Sequence, residues 1–138
     1  MALATPEVIA VLRTTAQRLR EGAKYQWGHA GVCNCGHLAQ VVTGLDGRQI
    51  KRQVAGEWSE HLNDYCPITG DSLDDVATRL VRFGFEPTEL ADLEYLENRE
   101  VLKGLPAERR HLRRNDRDDV VLYLETWADV LETKRVAA

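Results

Sequence analysis

The sequence predicts an all-α protein, residues 1–138 forming a single domain of about five to seven helices on one core. Three observations carry that prediction. Apolar residues recur every three or four positions in one segment after another. The segments are bracketed by capping residues at their starts and by Gly or Pro at their ends. No stretch alternates apolar and polar residues long enough to read as a strand. A hydrophobic fraction of 43% and a charged fraction of 29% suit a globular chain with a core to bury.

The first helix is expected to be capped by Thr5 with Pro6 in its first turn, where a missing N–H costs nothing. Val8, Leu12, Ala16, Leu19 and Ala23 form its apolar stripe, and the helix should stop near Lys24. From Tyr25 to Cys33 the glycines interrupt any period and predict a loop. Asn34 reads as the N-cap of a second helix through Leu38, Val41 and Val42 to Gly44. Asp46-Gly47 marks a turn, followed by short helices around Ile50 and Val54 and around Trp58, Leu62 and Tyr65, the latter ended by Pro67. Ser72 to Asp75 opens a helix carrying Val76, Leu80 and Phe83 before Gly84. Pro87 starts another, with Leu90, Leu93 and Leu96 on one face, and a short segment around Val101 ends at Gly104. Asn115 is the expected cap of the last helix, whose early Asp116, Asp118 and Asp119 face the positive end of its dipole. Its stripe is Val120, Leu124, Trp127 and Leu131. That stripe is wide enough to serve a homodimer as well as a core.

Charge and hydropathy narrow the function. A formal net charge of −4 argues against a dedicated nucleic-acid binder, which needs a basic surface for counterion release. The arginines between Glu108 and Arg117 have acidic neighbours to pair with and read as a solvated linker helix. No apolar run approaches the ~20 residues of a membrane span, and the first residues lack the pattern of a secretory signal. The expected location is the cytoplasm, where thiols stay reduced.

The chemistry concentrates in one place. All three cysteines, Cys33, Cys35 and Cys66, and three of the four histidines, His29, His37 and His61, lie between His29 and Cys66. Thiolate and imidazole are the ligands of borderline and soft transition metals, and a helix N-terminus favours the thiolate form. The expected metal ligands are Cys33, Cys35 and His37 from one half, with His61 and Cys66 from the other. His29 and Asp64 stand in reserve, and zinc is ranked ahead of iron. The spacing is neither a pair of C-x-x-C knuckles nor a haem motif.

Two other readings fit the same residues. A thiol-dependent enzyme would use Cys33 or Cys35 as nucleophile, His37 or His61 as base, and a Gln26 amide for an oxyanion. Alternatively the cysteines are small buried hydrophobes in the core of a helical interaction domain. The sequence leaves open whether the protein is an enzyme.

Overall fold

The structure is a computed structural model, and it describes residues 1–55 and 75–138. Among the described residues there are seven α-helices and no strand. They are α1 (Pro6–Arg20), α2 (Asn34–Thr43), α3 (Gly47–Ala55), α4 (Asp75–Phe83), α5 (Pro87–Tyr95), α6 (Arg99–Lys103) and α7 (Arg117–Ala137). The helix expected around Trp58, Leu62 and Tyr65 lies outside the described residues, as does the Ser72 start of α4.

The long helices α1 and α7 pack along each other and form the spine. Val8, Leu12, Ala16 and Leu19 of α1 and Val120, Leu124, Trp127 and Leu131 of α7 are all buried in one core cluster. Thr5 caps α1 by accepting the Val8 N–H at 3.2 Å. The helix ends at Arg20, a turn earlier than the stripe suggests, because Gly22 takes a left-handed φ of 97° that a helix cannot contain. Asp116, and not Asn115, caps α7, its carboxylate accepting the Asp119 N–H at 3.0 Å. Phe85 and Tyr123 meet the Trp127 ring edge-on at 5.6 and 6.2 Å, fixing the far end of the core.

The segment before α7 is not a helix but a single 3-10 turn, Ala107–Arg109, followed by irregular chain. Its arginines are used internally. Arg109 pairs with Asp119 and Arg113 with Asp116. Arg117 donates to the Leu19 carbonyl at 2.7 Å, holding the C-terminal end of α1.

The second helix is central, touching α1, α3, α4 and α5. Asn34, Cys35, Gly36, His37, Leu38, Ala39 and Gln40 are all buried, so its first two turns run through the interior. Glycine makes the approach close enough. A Cβ on Gly31, whose φ is 88°, would fall 2.1 Å from the Gly47 carbonyl oxygen, and one on Gly36 would fall 2.7 Å from the Gly31 carbonyl carbon. The loop, α2 and the start of α3 are thus in backbone contact.

Candidate metal centre

The N-cap of α2 is Cys33, one residue before the expected Asn34, and the cap atom is sulfur: Cys33 Sγ accepts the Gly36 N–H at 3.3 Å. That shift frees Asn34 for a different task. Its amide nitrogen donates to the carbonyls of Leu93 (3.1 Å), Glu94 (3.1 Å) and Arg114 (3.0 Å). Its oxygen accepts from the Tyr25 hydroxyl at 2.6 Å. The last carbonyls of α5 have no helical partner of their own, and Asn34 caps them from the start of α2. Trp27 adds a further donor, its Nε1 reaching the Glu94 carbonyl at 2.8 Å. Arg114 lies over the Trp27 ring at 4.5 Å and the Tyr95 ring at 5.3 Å, closing this end of α5 with two cation–π contacts.

With α5 docked in this way, the Glu94 carboxylate reaches the first turn of α2, where Oε1 accepts the Cys35 N–H at 3.3 Å. Cys33, Cys35 and Glu94 form one group: their sulfur and carboxylate oxygen atoms all lie within 4.8 Å of one another, and all three residues are buried. The two sulfurs are 3.5 Å apart. That exceeds a disulfide by far, so the two sulfurs are not bonded to each other. It is close to the ~3.8 Å separating two sulfurs that share a tetrahedral zinc at about 2.3 Å each. The positive end of α2 and the Cys35 N–H both favour negative charge here.

Cys33 and Cys35 are therefore brought together as the sequence suggests. His37 is not brought to them. Its ring turns the other way, with Nε2 2.7 Å from the Lys24 carbonyl oxygen, so Nε2 carries the proton. Burial pushes the His37 pKa down to about 4, despite the carbonyl contact that works in the opposite sense. His29 lies in the loop with its backbone N–H on the Gln26 carbonyl, and it too is outside the group. His61, Asp64 and Cys66 lie outside the described residues.

Glu94 is the residue that sequence reading missed. It stands 59 positions from Cys35, and nothing in its neighbourhood resembles a ligand motif. One signal was present: Glu94 follows Leu90 by four and so shares its buried face, where a carboxylate needs a partner. Glu89 shares this trait but is otherwise employed, accepting the Ala2 N–H at 2.8 Å. Comparison with protein-family models, curated proteins and solved structures finds no match for this chain.

Proposed function

We propose that the protein binds one transition-metal ion through Cys33, Cys35 and Glu94, with His61 or Cys66 supplying the remaining position. The observation that carries this reading is the convergence of two thiols and a carboxylate in the buried interior, with their ligand atoms within 4.8 Å. An ionised carboxylate in the interior is stabilised by a nearby cation, and thiolates beside it are ligands for one. A divalent cation offsets two of the three negative charges that the ionised group carries.

The donor set favours zinc, then iron. Thiolates select softer ions such as zinc, iron and copper(I), and the carboxylate weighs against copper(I). Both sulfurs have no solvent exposure, which suits a structural site better than one turning over substrate. The same burial weakens the thiol-enzyme reading, since a nucleophile must reach its substrate. A reduced cytoplasmic setting would keep both thiols available to the ion.

The test is elemental analysis of the full chain purified without added metal or chelator. About one equivalent of zinc or iron per chain is the expected result, with helix content falling when a chelator strips the ion. A content under about a tenth of an equivalent, with no uptake on adding zinc to reduced protein, overturns the reading.

A further inference from the structure

Beside α2, a cleft of about 670 Å³ opens between the last turn of α1, the loop after it, α2 and the start of α3. Four cations line it, Arg18, Lys24, Arg48 and Lys51, against a single carboxylate, Asp46. Asp46 is already committed as the cap of α3: its Oδ1 accepts the Gln49 N–H at 2.8 Å, and its own N–H donates to Gln49 Oε1 at 2.8 Å. Among the described residues, none of the four cations lies within ion-pair distance of a carboxylate, whereas Arg13, Arg20, Arg109, Arg113, Lys134 and Arg135 each do. In a chain with 22 acidic and 18 basic residues, acids are in excess, yet this concavity gathers bases. Their mutual repulsion is relieved by an anion.

One further feature is that of a built site. Arg18 is half-buried and held by a neutral group, its Nη2 donating to Gln40 Oε1 at 2.8 Å. A guanidinium positioned by an amide keeps its full charge and its fork geometry for a ligand.

We propose that this cleft binds a phosphate group carried by a small molecule, with Arg18, Arg48 and Lys51 on the phosphate. The volume is that of a small-molecule pocket, and the acidic net charge of the chain disfavours a nucleic-acid backbone. A dianion answers four cations better than a single carboxylate does. The proposal is independent of the metal centre.

The experiment titrates the protein as purified, at low ionic strength, with inorganic phosphate and with glycerol 3-phosphate, followed by calorimetry. One saturable site is expected for both ligands, with a dissociation constant of about 1 mM or below. The double variant Arg48→Gln/Lys51→Gln alters only exposed side chains and should keep its helix content while weakening both ligands about tenfold or more. No saturation with either ligand by about 10 mM, or affinity unchanged in the double variant, overturns the site. A single-stranded RNA that binds more tightly than glycerol 3-phosphate and displaces it overturns the small-molecule assignment.

Discussion

Glu94 and Cys35, 59 positions apart, meet where the C-terminal end of α5 abuts the N-terminal end of α2, the carboxylate accepting the Cys35 N–H at 3.3 Å. A helix start alone stabilises a carboxylate in that place. A metal shared with two thiols does so as well. The two origins differ in what happens when the charge is removed and the shape is kept.

Glu94→Gln makes that distinction. The amide oxygen can still accept from Cys35, so a pure helix-end role predicts a loss of less than about 1 kcal/mol. Loss of a metal ligand predicts at least a tenfold fall in metal affinity, about 1.4 kcal/mol, and a matching fall in thermal stability that disappears in chelator. Melting curves of the two proteins with and without chelator decide it.

The second measurement joins the two halves of the proposed site. If one ion links Cys35 to Cys66, then Cys35→Ser and Cys66→Ser each break the same link, and the double variant is hardly less stable than either single one. A coupling above about 0.5 kcal/mol in the double-mutant cycle is expected. Strict additivity would falsify the link between Cys35 and Cys66, leaving Cys33, Cys35 and Glu94 to be judged on metal content alone.

What the sequence made legible, and what it did not, follows from range. Thr5 with Pro6, the stripe of α7 and the glycine after α2 are local signals, and the helices formed where these placed them. Cys33 and Cys35 share a helix start and were found together for the same reason. Glu94 was invisible because its role depends on how α5 docks, which no window of sequence contains. Asn34 was assigned the wrong task by the same limit. As a cap it satisfies a local rule, but three carbonyls from distant segments compete for its amide and win. His37 was grouped with the thiols by proximity in sequence, whereas the helix turns its ring toward Lys24.

Gly36 offers a test in which two known effects oppose each other. Replacing glycine by alanine inside a helix gains up to about 1 kcal/mol from propensity. Here the new Cβ would lie 2.7 Å from the Gly31 carbonyl carbon and 3.1 Å from Cys33 Sγ. Backbone cannot move aside cheaply, and overpacking of that kind costs about 1–3 kcal/mol. Gly36→Ala is expected to be less stable than the parent and, because it presses on Cys33, to bind metal less tightly. Equal or higher thermal stability would show that the loop has room to yield.

High pH should unfold the protein through two tyrosines. Burial pushes the pKa of Tyr25 and of Tyr123 well above the ordinary phenol value, with Glu94 adding to the effect at Tyr25. A pKa raised in the folded state contributes stability that is complete below the unfolded value of about 10 and is lost as pH climbs from there toward the folded value. Tyrosinate absorbance from these two residues should therefore appear together with loss of the helical dichroism, above about pH 10. Ionisation of all four tyrosines with helix content intact would contradict it.

The last prediction concerns Asn34, whose amide nitrogen faces three carbonyls while its oxygen faces the Tyr25 hydroxyl. Asn34→Ala leaves those groups without their buried partner and should cost about 2–4 kcal/mol. Asn34→Asp changes almost nothing in shape but sets a carboxylate against three carbonyl oxygens in the interior, so at neutral pH it should cost more than the alanine change. The introduced carboxyl is held neutral more firmly in the folded state than in the unfolded chain. Its folded pKa therefore lies above the unfolded value of about 3.9, and the penalty shrinks as pH falls toward that value. Once protonated, it can donate to one of the three carbonyls. Denaturant unfolding of both variants at pH 7 and near pH 4 gives the answer: the order should be alanine above aspartate at pH 7, with the gap closing in acid. A gap that stays constant would mean that the carboxylate has found water or a cation, and that Asn34 is less enclosed than its three carbonyl contacts imply.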